Sequence, residues 1–274
     1  SCNSSAFSIN HVLKSGRLPA DALVVVATPP AADGSRSLGT VNGCMQAAVD
    51  AAALVVVEEN PSLPLIAGAA RIAPGKPERV LEHAPPAYRA LSRPADAVDQ
   101  ACAVQIATLV CDGATLQVGV GGPIEALGAA LRKARGLRVV TGAIGATVRD
   151  LSLNGCLAPD APILGTALVG DDALMDWAVR APHIELMASS RIHNPRWLRG
   201  LHRLLSINVA ISVDLAGNVN SEWAGGRRIS GRGGAPDFAR GARLSEGGGA
   251  IVALRADRPG VLVERIDKPS LPAA

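Results

Sequence analysis

Two glycine clusters are the first places in this chain where the backbone itself could do chemistry. Gly119-Val120-Gly121-Gly122-Pro123 lies between a strand pattern and a helix pattern. Bare amides at a helix start, with no Cβ in the way, can approach a phosphate or a carbonyl oxygen. Gly231-Arg232-Gly233-Gly234 precedes Pro236 and Asp237, which read as a first helical turn. Its amides could form an anion nest, or an oxyanion hole for the tetrahedral intermediate of a thioester. The competing reading is a pair of tight turns, which glycine content alone would equally explain.

Several other signatures are ruled out. Ile124 stands where a dinucleotide fingerprint needs its third glycine, and no G-x-x-x-x-G-K-[ST] occurs. His183-Ile-Glu185 has the H-x-E of zinc deaminases, but no P-C-x-x-C follows, so no metal site is expected. There is no G-x-S-x-G elbow. The five histidines (His11, His83, His183, His193, His202) are scattered and read as surface or satisfied core residues rather than ligands. The five cysteines (Cys2, Cys44, Cys102, Cys111, Cys156) show no C-x-x-C pairing and read as buried, reduced thiols of a cytoplasmic protein, with a redox or metal role as the lesser alternative.

The stretch Leu205–Leu254, LSINVAISVDLAGNVNSEWAGGRRISGRGGAPDFARGARLSEGGGAIVAL, closely resembles the acetyl-CoA hydrolase/coenzyme A-transferase family, which includes 4-hydroxybutyrate and butyrate:acetate CoA-transferases. That family carries a strand like SINSALEVDLTGQVN, then SGxGGxxDFxRGA, then a GGK-like turn and another strand. Asp112–Gly122 resembles its DGxTLQxGIG segment. Ala167–Trp177 and Asn194-Pro195 are similar to its ALGxxxLYDF and NDP positions. Pro29-Pro30, Ser37-Leu38-Gly39 and Glu58–Pro61 resemble its SPPDEHGYCSLG and EVNP motifs, so the likeness runs over nearly the whole chain in the family's order.

Two departures stand out. Family members are longer at the N-terminus, so this chain reads as beginning partway through the first domain, with the opening strands lost or supplied by a separate polypeptide. The family's nucleophile is a glutamate in a segment like HTEMFSDG. Here the equivalent stretch is Val140-Thr141-Gly142-Ala143-Ile144-Gly145, and Gly142 stands at that glutamate's position. A carboxylate there would attack the acyl-CoA carbonyl to give a mixed anhydride and then a glutamyl-CoA thioester; glycine cannot. No Glu lies between Glu125 and Glu185, so a small slip of alignment does not restore one. The small residues Gly142, Ala143 and Gly145 predict a roomier pocket than the family's.

By resemblance, Gly234 supplies an oxyanion-hole amide, Asn194 sits near the acyl group, and Gly119, Val120, Gly121 and Gly122 line the acyl pocket, with Gly231 and Gly233 in the second loop. Asn220, Ser221 and Glu222 follow an alternating strand and can reach the same cleft, although Glu222 also reads as an ordinary turn residue. Glu58 and Glu59 fall at a strand end in the other domain. The resemblance implies acyl-CoA (coenzyme A as substrate) and a small carboxylate, no metal, and a homo- or hetero-oligomer. Two functions compete: an acyl-CoA transferase or thioesterase with a non-standard mechanism, and a catalytically silent subunit or acyl-CoA-binding protein completed by a partner chain.

These residues need elements to hold them. Strand patterns fall at Ala22–Thr28, Ala53–Glu58, Thr115–Gly119, Leu137–Val140, Ile163–Val169, His183–Met187, Ser206–Asp214, Ala250–Leu254 and Val261–Glu264. Most are continuously apolar, as parallel strands buried on both faces are. Ser206–Asp214 alternates Ile207, Val209, Ile211 and Val213 with smaller or polar residues, predicting one core-facing and one polar side. Helical stripes are Val98/Cys102/Ile106/Leu109 and Ile124/Leu127/Leu131, the second opened by Pro123 and followed by Arg132, Lys133 and Arg135. Strand–helix alternation implies open α/β sheets with right-handed crossovers. Pro74–Pro94 holds five prolines and reads as an irregular connection. The expected architecture is two open, mostly parallel α/β domains, an incomplete first one at residues 1–93 and a second at 94–274.

At 274 residues, with 48% hydrophobic and 19% charged, the chain can bury a large core and is not a disordered one. Two Phe, one Tyr and three Trp leave few stacking platforms, and a net charge of +3 is too weak for a phosphate-tracking surface, so nucleic acid is not an expected partner. The longest purely apolar run, Ala51–Val57, is far short of the roughly 18 residues of a membrane helix. The start at Ser1, with neither a basic nor an apolar leader, reads as a processed or truncated product rather than a secretory signal.

Overall fold

The computed structural model describes residues 6–81, 93–181 and 183–267. The larger sheet is built from β4 (Thr115–Val118), β5 (Arg138–Val140), β6 (Ile163–Gly165), β7 (Ile184–Leu186), β8 (Leu204–Val209) and β9 (Gly249–Ala253). All neighbours are parallel, in the order β7-β6-β5-β4-β8-β9. Its registry stacks Leu116 against Val139, Val139 against Ile163 and Ile163 against Ile184. All four residues of β4 are buried, its polar Thr115 and Gln117 being satisfied by the His202 carbonyl and the Ser206 hydroxyl.

One cover is α3 (Ala97–Ala107), α4 (Gly122–Glu125), α5 (Leu127–Ala130), α6 (Ala146–Leu153) and α7 (Asp172–Arg180), whose apolar residues join Leu116, Val118, Val139 and Ile207 in the main core. The opposite cover is α9 (Pro195–Leu198) and α10 (Ala235–Leu244), where Leu198, Phe238 and Ala242 pack on Val140 and Leu204. Ile124, Leu127 and Leu131 are buried as the stripe predicts, but on two four-residue helices meeting at Ala126, with Leu131 as the C-cap just past the second. The stripe on α3 needs correction. Leu109 lies beyond the helix and is exposed, and the buried residues on α3 are Asp99, Ala103 and Ile106.

Asp99 is a structural carboxylate. Its side chain is fully buried and accepts from Arg93, from Arg255 and from the Asp96 backbone amide, while Asp96 caps the Asp99 amide in return. A Cβ on Gly122 would collide with this carboxylate, so the first glycine loop sits directly on it. Asp99→Ala removes the buried one of the two carboxylates that Arg93 and Arg255 share, Asp96 being the other, and is expected to cost about 1–3 kcal/mol, read as a lowered urea midpoint at unchanged m-value.

The smaller sheet is β1 (Ala22–Ala27), β2 (Leu54–Glu59) and β3 (Glu78–Leu81), parallel in the order β1-β2-β3. Thus the stretch expected to be irregular from Pro74 contains a strand of this sheet; the remainder, residues 82–92, lies outside the described residues. Arg36, buried, ties the sheet's carboxylates together, donating to Glu59, Glu78 and the Thr28 carbonyl. The two sheets meet through loops: Asn42 N–H donates to the Thr166 carbonyl, Leu186 N–H to the Ala67 carbonyl, and Gly43 bridges Ala188. Gly68, at φ +75°, is pressed so closely on the Leu186 carbonyl that no side chain fits there.

Two predicted strands are each broken in two. Ile163–Val169 forms β6 and, separately, residues 167–168, which pair with 143–144. Ser206–Asp214 splits at Ala210 and Ile211, and residues 212–214 pair with 219–220 and 262–263 in a small sheet of their own. Among the described cysteines all four are free, but only Cys156 is buried, and Cys111 is exposed. No helix among the described residues is long and apolar enough to cross a membrane.

Candidate active site at the strand switch

In the larger sheet the chain runs from β4 outward through β7, then returns to lay β8 on the other side of β4. Adjacent strands whose connections leave in opposite directions open a crevice at their carboxyl ends, the usual ligand position in open α/β sheets. The first glycine loop starts here. Gly119 donates its N–H to the Ile207 carbonyl, and its missing Cβ makes room for Asn208 Oδ1. Gly121, at φ +127°, lies against Val209.

The alternation in Ser206–Asp214 serves this switch. Ile207 is fully buried in the core, while Ser206 and Asn208 meet Gln117 of β4. Gln117 Oε1 accepts from Ser206 Oγ (2.6 Å) and Asn208 Nδ2 (3.0 Å), and Gln117 Nε2 donates to Asn208 Oδ1 (3.2 Å). This closed amide network fixes the two strand ends that carry the crevice. A groove of about 450 Å³ starts at Ser206, Asn208 and Val209 and runs beside α10, past Ser221, to Arg240 and Arg243.

Gly142 lies just beyond the end of β5, with its carbonyl accepting from the Thr166 amide (2.9 Å) and hydroxyl (2.7 Å). Gly234 is the N-cap of α10, with ordinary helical φ and ψ and no side-chain cap. What joins the two is His193, at the end of α8 (Ser189–Ile192). A Cβ on Gly142 would stand 3.5 Å from His193 Cε1 and 3.8 Å from Nε2. A Cβ on Gly234 would overlap Cε1 and Nδ1 outright. The imidazole therefore spans the gap between the two glycines. The pocket that the small residues at 142, 143 and 145 are expected to enlarge has this ring along one wall.

His193 is 3% exposed and packs edge-on against Phe238, with ring centroids 4.9 Å apart. Its Nδ1 meets only the Gly234 backbone, without the alignment of a full hydrogen bond. Of the expected surface or satisfied core histidine, the surface reading fails, and the core reading holds with the ring's hydrogen bonding incompletely met. Burial pushes its pKa down to about 4, against a weaker opposing pull from the Gly234 backbone. The unfolded chain protonates this ring near 6.5, so stability from holding it neutral is complete above that pH and is lost as pH falls toward 4. The total effect is about 3 kcal/mol. Denaturant unfolding between pH 7 and pH 4 should show this loss, and His193→Gln should flatten the slope.

The other sequence-derived site residues divide. Gly119, Val120, Gly121 and Gly122 follow the carboxyl end of β4, with Val120 and Gly121 exposed. Gly231 and Gly233 are exposed in the second loop, where the Gly233 carbonyl accepts from the Ala6 N–H of α1 (Ala6–Lys14). Asn194, beside His193, spends its Oδ1 capping α9 at the Arg196 amide. Asn220 is buried and its amide is fully used within its own turn, between Ser212, Glu222 and Trp223. Glu222 is buried and bonds Arg228 through Oε2, matching its reading as a turn residue. Ser221 is exposed and lines the groove. Glu59, in the other sheet, is taken by Arg36. Among the described residues no three His, Cys, Asp or Glu side chains converge to hold a metal ion.

Residues 170–268 match the acetyl-CoA hydrolase/transferase C-terminal domain. The 4-hydroxybutyrate coenzyme A transferase of Clostridium kluyveri is 31% identical over 254 residues, covering 90% of this chain and 59% of that protein. RipA from Yersinia pestis superimposes with a TM-score of 0.87 at 25% identity, covering 98% of this chain and 63% of that one. A 4-hydroxybutyrate CoA-transferase from Porphyromonas gingivalis does so with a TM-score of 0.81 at 26% identity, covering 95% and 66%. The chain spans between about half and three fifths of the length of the curated relatives it matches.

Proposed function

This chain belongs to the acetyl-CoA hydrolase/CoA-transferase family, and from that premise we propose that it binds an acyl-CoA thioester at the β4/β8 switch and cleaves it without a glutamyl intermediate. The observation that carries this reading is the pairing of Gly142 with Gly234 around one wall of the site, a backbone-only position facing a helix N-terminus. The positive end of α10 and the Gly234 amide favour negative charge on the thioester oxygen as it develops. The groove past Ser221 to Arg240 and Arg243 suits a long ligand with an apolar arm and an anionic end. Gly142 offers no carboxylate, so ping-pong transfer lacks its covalent carrier, while binding and oxyanion stabilisation still accelerate attack by another nucleophile.

The test is product analysis of the purified chain with acetyl-CoA and a panel of carboxylic acids, by liquid chromatography with mass detection. Free CoA supports this reading. New acyl-CoA species would point to transfer through another nucleophile. The absence of a carboxylate at Gly142 also favours a second reading, a non-catalytic subunit or acyl-CoA-binding protein completed by a partner chain. Binding of CoA with no product, restored to turnover by a co-purifying chain, would favour that one.

A further inference from the structure

His193 is the one buried imidazole among the described residues; His11, His183 and His202 are exposed. Its placement is elaborate for a packing residue. Its own amide is anchored to the Ser189 carbonyl (2.9 Å), the next residue caps α9, and Phe238 holds the ring edge-on. Gly234 must lack a side chain for the ring to lie where it does. Yet the buried Nδ1 has only the Gly234 backbone beside it and no well-formed hydrogen bond, which costs stability that a leucine or phenylalanine here would not. A polar ring held rigidly at such a cost, between two partly exposed glycines, is placed for something that comes and goes.

The geometry says what. The Cε1–Nδ1 edge faces Gly234 and the Cε1–Nε2 edge faces Gly142. With no Cβ on Gly142, a water oxygen standing slightly nearer than that absent atom has Nε2 within hydrogen-bond reach. Both glycine Cβ positions lie within 3.5 Å of Cε1, so a thioester whose oxygen is held at the Gly234 amide would bring its carbonyl to this same edge of the ring. Burial keeps the ring neutral at physiological pH, so its lone pair is free, and negative charge forming on the nearby oxygen favours the imidazolium as the proton arrives.

We propose that His193 is the general base of this site, activating a water at Gly142 for attack on the thioester carbonyl, so that the chain hydrolyses acyl-CoA rather than passing CoA between carboxylates. This rests on the acyl-CoA reading above. Water oxygen bonds to the acyl carbon as its proton passes to Nε2. The tetrahedral intermediate then collapses, the C–S bond breaks with its electron pair going to sulfur, and the imidazolium returns the proton to the leaving thiolate. The products are free CoA and the carboxylate with its proton, and no cofactor is consumed.

The test measures CoA release from acetyl-CoA by the whole chain, and CoA binding by calorimetry, for the unaltered protein, His193→Gln, and His193→Gly with and without added imidazole. His193→Gln is expected to keep the affinity for CoA and lose at least about 100-fold in release, within the range of general-base contributions. Imidazole should restore release by His193→Gly at least tenfold and saturably, an effect a purely structural role would not give. Circular dichroism checks the fold, and His193→Asn replaces the Gln variant should that one unfold. Release by a folded variant at the original rate overturns the proposal, as does an unaltered protein that binds CoA but releases none. An unaltered protein that binds no CoA at all instead overturns the acyl-CoA reading, and the histidine's role with it.

Discussion

Gly234→Ala is expected to lower kcat/KM for acetyl-CoA by about 10²–10³, the scale of losing one oxyanion-hole donor. The backbone at 234 is not strained, since its φ of −101° and ψ of −6° suit any residue. The obstacle is contact: the new methyl would overlap His193 Cε1 and Nδ1. The imidazole cannot retreat easily, because Phe238 lies behind it in the cluster with Val140, Ile192 and Leu204. Either the ring turns out of its slot or the loop carrying the amide withdraws, and displacements of about 1 Å at a reacting centre cost on the order of 10²-fold. Comparing Gly234→Ala/His193→Gly with His193→Gly alone, both with added imidazole, separates the causes, because no ring is left to clash and any further loss of turnover belongs to the amide. A single Gly234→Ala variant with unchanged kcat/KM would show that neither the amide nor the ring is used.

How much of this is legible in the sequence follows from how far apart along the chain the cooperating groups lie. The apolar runs at 22–27, 54–57 and 163–164 announce themselves because a strand covered on both faces must be apolar without alternation. The glycine loops are equally visible, since close backbone approach needs residues without a Cβ. The split of Ser206–Asp214 is not, because alternation persists across Ala210 and Ile211 while the hydrogen bonds pass to a different sheet. Residues 78–81 are Glu-Arg-Val-Leu between prolines, and they form a strand only because β2 offers an open edge. Leu109 fits the helical stripe by spacing, but the helix ends before it. His193 is the costliest omission. A lone histidine carries no spacing signal, and its meaning comes from Gly142, Gly234 and Phe238, which only the folded chain brings to it. Asn220 and Glu222 show the converse: their polarity is visible in the sequence, but not that it serves their own turn and Arg228.

The second large effect is a gain. Gly142→Glu places a carboxylate at the position where the family resemblance implies the nucleophile. The site tolerates the first atom of that side chain, since its Cβ meets nothing nearer than His193 Cε1 at 3.5 Å, ordinary contact, at a backbone conformation open to any residue. A carboxylate there attacks the thioester carbonyl, giving an anhydride that CoA thiolate reopens to a glutamyl-CoA thioester, and a second carboxylate then collects the CoA. The variant should therefore transfer CoA from acetyl-CoA to added carboxylic acids at least about tenfold faster than the unaltered chain, the low end of what a positioned covalent carrier contributes. Borohydride should trap the enzyme-bound thioester, reducing the introduced side chain to the alcohol and lowering the mass of its peptide accordingly. Water loses its place beside His193 Nε2 in the same stroke, so hydrolysis should fall as transfer rises. That opposite movement is the decisive reading: a variant in which both activities fall together would mean that Gly142 is needed for space alone, and that the acyl group does not sit between the two glycines.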